Sequence, residues 1–213
     1  MAGIPYSVKK SIDDFLLGDL DGAMLHACNA VDGTSRMLHK GFKDNHRQRY
    51  LKTLRDNYSI LRPMSFPYFD IDNIKWPIKL SEKQKSSDWP DIAEVIYGIH
   101  RCSHGHGEEL PDGFQLMPDV LEVTNKTTLI AQPGRVRISD RVIFGLLAIA
   151  VLSPANKDLM IPCDHWLSLG ENKFVINEWW GRKDDFLKIT DLCDEQLLSF
   201  DFSNWYGQIA VPI

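Results

Sequence analysis

Ile96-Tyr97-Gly98-Ile99-His100-Arg101-Cys102-Ser103-His104-Gly105-His106-Gly107-Glu108-Glu109 is the stretch on which the reading of this chain turns. It holds three of the seven histidines, together with an arginine and a cysteine. The residues before it carry apolar Trp89, Ile92, Ile96 and Ile99 at three- and four-residue spacing, the signature of a helix with one buried stripe. Ser87 or Asp88 is the expected cap, with Pro90 tolerated in the first turn. At about 100° per residue, Arg101 lies roughly 200° around from Ile99, so it faces outward with Glu94 and Tyr97.

The chemistry available there is specific. Imidazole takes or gives a proton near neutral pH, and a guanidinium offers a fixed charge and a two-pronged donor, a pairing suited to a phosphodiester. On an unbroken helix His106 stands about 140° from Arg101 and His104 only about 60°. Either Gly105 breaks the helix and returns His106 to Arg101, or His104 is the working imidazole. His100 and His104, one turn apart with Cys102 and His106 close by, also make a candidate metal-ligand face. A plainer arrangement has Arg101 and His106 capping a helix end against Glu108, Glu109 or carbonyl groups.

Working outward toward the N-terminus, Val8, Ile12, Phe15 and Leu16 predict a first helix from Ser7, stopped at Gly18. Asp19 to Lys40 predicts a second, with Leu20, Ala23, Met24, Ala27, Ala30, Val31, Thr34 and Leu38 on its apolar side. His26, Asn29, Asp32 and Arg36 fall elsewhere on that wheel, and Gly41 is the expected C-cap. A third helix is predicted from Asp44 to Leu61 and ended by Pro63. Its His46, Arg47, Arg49, Lys52 and Arg55 form the most basic local stretch, either a solvated face or a source of phosphate contacts. Pro63 to Ser87 reads as an irregular connector.

Toward the C-terminus, Phe114 to Met117 and Thr127 to Gln132 resemble a pair of short strands inserted at about 111–137. Arg141 to Leu152, capped by Ser139 or Asp140, is apolar nearly all round and should be a central helix. Beyond Asn156 a hairpin is predicted from Trp166 to Glu178 around Gly170-Glu171-Asn172. Trp179-Trp180, Phe186 to Ile189 and the aromatic tail through Trp205 and Tyr206 suggest further strands. The expected organisation is thus mainly α (α+β): a helical bundle over 1–155 and a β-rich extension over 156–213.

Composition narrows the classes. A formal charge of −5 over 213 residues argues against a surface devoted to non-specific nucleic-acid binding, although a local basic pocket is compatible with it. Cys28, Cys102, Cys163 and Cys193 show no CxxC spacing, so a reducing, cytoplasmic setting is expected. Met1 to Lys10 lacks the apolar core of a signal peptide, and Val142 to Leu152 is too short to span a bilayer.

Tyr97, Arg101, His106 and Gly107, with four residues between the Arg and the His, resemble the Arg-x4-6-His motif of the HEPN superfamily. Cys102 occupies the position where that motif usually has asparagine. His26 to Thr34 is similar to the amphipathic helix that packs beside the motif, on which some members carry a further polar active-site residue; Asn29 and Asp32 are the candidates. The resemblance covers roughly Met1 to Pro154. It implies a HEPN-like up-and-down bundle and metal-independent endoribonucleolytic cleavage without a cofactor. His106 would move protons, with His104 as the alternative, and Arg101 would stabilise the phosphorane, leaving a 2′,3′-cyclic phosphate. Tyr97, Cys102 and Arg47 are candidate substrate contacts. The family pattern further implies a homodimer with motifs at the interface, an RNA substrate, an antitoxin or regulatory partner, and a role in defence or stress response. Non-catalytic dimerisation or binding modules share the same fold, and a His-cluster metal-binding protein is the third functional class.

Overall fold

The computed structural model describes residues 3–41, 45–80, 89–99, 113–119, 129–190 and 197–208. Helix α1 (Ile4–Leu16) starts with Pro5 in its first turn, where a missing N–H costs nothing, and stops at Gly18, whose φ is +80°. Two residues later α2 (Leu20–Leu38) begins, its N-terminus closed by Asp19, whose side chain accepts from the Gly22 N–H at 2.9 Å. So short a link folds the helices back on each other: Ser11 Oγ donates to Ala23 O at 2.7 Å, and Ile4 lies against Gly33. Their contact buries Val8, Ile12, Ala23, Met24, Ala27, Ala30 and Val31, the apolar periodicity of both segments.

The single helix expected over 44–61 is two, α3 (His46–Arg55) and α4 (Tyr58–Ser65). Asn57 makes the break. Its side chain donates back to Thr53 O at 2.8 Å, while its carbonyl accepts the Ile60 and Leu61 N–H groups that open α4. Lys183 Nζ then reaches Asn57 Oδ1 at 2.8 Å from the far end of the chain. Pro63 lies inside α4 rather than ending it, and the helix runs on to Ser65.

Helix α5 (Ile92–Ile99) begins later than expected, because its cap is Asp91. Asp91 Oδ1 accepts from the Glu94 N–H at 2.9 Å, and Glu94 Oε2 accepts from the Asp91 N–H at 3.4 Å, a reciprocal capping box. Ser87 and Asp88, the expected caps, lie outside the described residues. The predicted stripe is buried at Trp89, Ile92 and Ile96.

Helix α6 (Arg141–Leu152) is central, with only Arg141 and Phe144 partly exposed, and it packs on α1, α2 and α4. The inserted strands form three rather than a pair. β1 (Phe114–Met117) and β2 (Leu129–Gln132) do not touch; both flank β3 (Arg135–Ser139), β1 in parallel and β2 antiparallel. Arg135–Ser139 alternates exposed and buried residues, with Val136 and Ile138 facing the core, but its two arginines mask the strand in sequence.

The predicted hairpin is present as β4 (Trp166–Leu169) and β5 (Asn172–Val175). The further strands are not. Ile176–Trp179 is a helical turn, α7; Lys183–Thr190 is α8; and Ser203–Gln208 is a 3-10 helix. Phe186 to Ile189 is a short apolar run that fits either period, and the acidic first turn Asp184-Asp185 favours helix. Among the described residues after Asn156, the strand pairing is the β4–β5 hairpin and the bridge of Leu198 to Phe69, beside helical turns. Ile161, Leu167, Phe174, Ile176, Trp180 and Phe186 join the same apolar core as the first helices. Asn156 secures that junction, donating to Thr34 Oγ1 at 2.8 Å and Ala150 O at 2.7 Å. The fold is mainly α, with two small sheets among the described residues.

Candidate functional site

Helix α3 meets α2 on one side and α5 on the other, and its basic residues divide between them. Arg49 turns inward and is 4% exposed. Its Nε donates to Ser35 Oγ at 3.0 Å and its Nη2 to Asp32 Oδ1 at 3.1 Å, with His46 Nδ1 also 3.1 Å away. The second Asp32 oxygen accepts from Arg36. A guanidinium out of water needs such a set, since an unpaired buried charge is far more costly than a satisfied one.

Arg47 and Arg55 turn toward α5. Arg47 Nη2 donates to Glu94 Oε1 at 2.9 Å, and its guanidinium lies 5.9 Å from the centre of the Tyr97 ring. Tyr97 in turn rests on Tyr50, with ring centres 5.5 Å apart. Arg55 grips the capping box, with Nη2 2.7 Å from Asp91 Oδ2 and 3.8 Å from Glu94 Oε2. Partial burial works against the Arg55 cation, yet the Asp91 charge and hydrogen bond outweigh it and hold its pKa above the ordinary value. On α4, the Tyr58 hydroxyl accepts from the Ala93 N–H at 3.2 Å. Helix α5 is thereby pinned along its first turn, and Arg101 follows its last residue, Ile99, by two positions in the sequence.

Between α3 and α5 is a groove of about 410 Å³, lined by Arg47, Gln48, Leu51, Lys52, Arg55, Asp56 and Glu94. Each of its cations faces a carboxylate, Lys52 pairing with Asp56 at 2.8 Å. Arg47–Glu94 and Lys52–Asp56 face solvent, so the groove can offer those two cations to an incoming anion at small cost, while Arg55 stays on the buried Asp91. Beneath it Cys28 and Tyr50 are inert at neutral pH: burial pushes the Cys28 thiol up to about 12 and raises the Tyr50 phenol well above its usual range.

Of the residues singled out in the sequence, Arg47, Tyr97 and Asp32 meet around α3. Asn29 is exposed on α2, three residues before Asp32. Arg101, Cys102, His104 and His106 lie outside the described residues, as does His100 of the candidate metal face. Among the described residues no group of three or more His, Cys, Asp or Glu could hold a metal ion. Sequence reading missed the inward turn of Arg49 and the role of Asp91 and Glu94. The D-x-x-E spacing of Asp91 and Glu94 is a readable capping signal; nothing local distinguishes Arg49 from its basic neighbours.

A second polar cluster lies on α1. Asp13 pairs with Lys9 and stands 3.4 Å from His165 Nε2, while Asp14 pairs with Lys10 and stands 3.8 Å from His26 Nε2. Burial depresses the His26 pKa below 6.5, against the pull of Asp14. Just below pH 6.5 the unfolded chain therefore binds the proton that the folded chain refuses, so stability falls as pH drops through that window. His26→Gln is expected to flatten that decline in urea midpoints measured across it. His39, depressed by burial in the same direction, leaves a residual slope.

This arrangement defines a mainly α protein with an ion-paired groove between two helices. No described helix is long and apolar enough to cross a membrane. The chain belongs to the Rv1289 family, whose model matches residues 3–206. It is 37% identical over 206 residues to "Uncharacterized protein Rv1289" of Mycobacterium tuberculosis (strain ATCC 25618 / H37Rv), covering 96% of each chain. The same identity and coverage relate it to "Uncharacterized protein Mb1320" of Mycobacterium bovis. No solved structure matches it.

Proposed function

We propose that this protein is a metal-independent endoribonuclease of HEPN type, cytoplasmic and acting as a homodimer in defence or stress response. The observation that carries the reading is the pinning of α5. In sequence α5 runs on to Arg101 and His106, and it is locked to α3 through Arg55–Asp91 and to α4 through the Tyr58 hydroxyl on the Ala93 N–H, with the Arg47 guanidinium near the Tyr97 ring. A fixed helix is what a positioned proton donor and cation need upstream. His106 is the general acid/base and Arg101 the phosphorane stabiliser, with His104 the competing imidazole. Asp32 holds Arg49, Arg47 is available to a flanking phosphate, and an antitoxin or regulatory protein is the partner such a site calls for.

The test is RNA cleavage in EDTA by wild type, Arg101→Ala, His104→Ala and His106→Ala, with analysis of the new ends. Loss of about a hundredfold or more is expected for Arg101→Ala and His106→Ala, with a 2′,3′-cyclic phosphate from wild type. Absence of cleavage by a dimeric preparation across varied RNAs sinks the proposal. The carboxylate facing each groove cation, with the net charge of −5, favours a second reading as a non-catalytic dimerisation module. That reading expects a stable dimer and no cleavage.

A further inference from the structure

The chain segment 197–208 folds back over the connector between α4 and α5. Leu198 bridges Phe69 in parallel, with the Asp70 N–H donating to Leu198 O at 2.9 Å and the Leu198 N–H to Tyr68 O at 2.6 Å. Between tail and connector is a pocket of about 210 Å³, separate from the α3–α5 groove. Aromatic Trp89, Phe200 and Phe202 line it together with polar Asn73, Lys75 and Asp201.

Of its aromatics, Trp89 is buried and Phe202 packs on the core, while Phe200 stands partly exposed at the opening. The Phe200 and Phe202 rings lie within 7° of parallel with centres 6.1 Å apart, and Phe200 is 41% exposed. The exposed part of the Phe200 ring is a face against which a flat ring can lie. The polar groups have distinct capacities. Lys75 is exposed and makes no ion pair among the described residues. Asp201 accepts from the Ser203 N–H at 2.8 Å, a bond that lowers its pKa and keeps it an ionised acceptor. Asn73 turns its amide nitrogen to Asp70 at 3.0 Å, which leaves the amide oxygen as a further acceptor. The pocket thus combines a stacking face, two acceptors and one cation, in a volume below that of a drug-sized site.

We propose that this pocket takes a single unpaired base of single-stranded RNA. The base stacks on the exposed Phe200 ring, its exocyclic amino group donates to Asp201 or Asn73, and the adjoining phosphate meets Lys75. Stacking alone is indifferent to sequence, so the two acceptors set a preference for amino-bearing adenine or cytosine over uracil. The choice of RNA as ligand rests on the ribonuclease reading above. Trp89 stands three residues before α5, the helix that precedes Arg101 in the sequence.

The experiment measures binding of labelled oligoadenylate, oligocytidylate and oligouridylate by fluorescence anisotropy, using the full chain carrying His106→Ala to suppress turnover. Oligoadenylate and oligocytidylate are expected to bind more tightly than oligouridylate. Phe200→Ala, at an exposed position, should weaken oligoadenylate about tenfold while leaving the circular-dichroism melt unchanged. Lys75→Ala should reduce the slope of log affinity against log salt by about one. Equal affinity for all three RNAs, or affinity untouched by Phe200→Ala, overturns the pocket. If the wild type then still cleaves RNA, the ribonuclease reading survives without the pocket; pocket-dependent binding by a wild type that cleaves nothing leaves the reverse.

Discussion

Asp32→Ala is expected to lower the unfolding free energy by about 3–5 kcal/mol. The reason is Arg49, not Asp32 itself. Arg49 is 4% exposed and takes its charge balance from Asp32 Oδ1 at 3.1 Å, with Ser35 Oγ at 3.0 Å as its remaining strong acceptor. Removing the carboxylate leaves a cation buried between α2 and α3 without a counter-charge. Arg49→Met combined with Asp32→Leu removes both charges and should recover most of the loss, because an apolar pair of similar volume avoids desolvation altogether. Urea denaturation of the two single variants and the double variant measures the coupling directly. A loss under about 1 kcal/mol for Asp32→Ala, with cleavage abolished, would instead make Asp32 a group that acts on substrate and not a brace for Arg49.

Gly145→Ala is expected to destabilise the protein by about 1–3 kcal/mol, opposite in sign to the helix-propensity rule. By propensity alone, alanine in the middle of α6 should gain about 1 kcal/mol over glycine. The crossing of α6 over α4 forbids it. A Cβ at Gly145 would overlap Ser65 Oγ and stand 2.9 Å from Leu61 Cδ1 and 3.2 Å from Ser65 Cβ. Ser65 is fully buried and bonds Arg141 O at 3.3 Å, so neither it nor Leu61 has space into which to retreat. Adding Ser65→Ala removes the closest atom and should restore part of the stability, with Leu61 holding back the rest. Thermal melts of the three proteins decide it; a Gly145→Ala variant more stable than the parent would mean that the helices do not meet this closely.

The amphipathic periods of α1, α2 and α5 and the apolar run of α6 were legible because a helix facing one core repeats its buried residues every three or four positions. The hairpin of β4 and β5 was equally legible, because the Gly170-Glu171 turn leaves little choice. Boundaries were less so. Asn57 divides a continuous basic helix in two because its side chain competes for backbone carbonyls and is held by Lys183, more than a hundred residues away. Helix α8 looked like a strand because a short apolar run satisfies both periods until packing selects one.

The candidate site divides in the same way. The basic run of α3 drew attention to Arg47, and the resemblance to the HEPN motif drew it to Tyr97, Asp32 and the Arg101–His106 pair, since charge, aromaticity and motif spacing are properties of the chain. Which cation turns inward is not such a property. Arg47, Arg49 and Arg55 are near neighbours on one helix, and only the positions of α2 and α5 on either side send Arg49 to Asp32 and the other two to Glu94 and Asp91. Tertiary structure alone likewise brought Trp89 to Phe200 and Phe202, because a pocket between segments more than a hundred residues apart has no local signal. The sequence by itself determined the helices and the chemistry they carry; only their packing decided which charges are buried, which are paired, and where an opening is left.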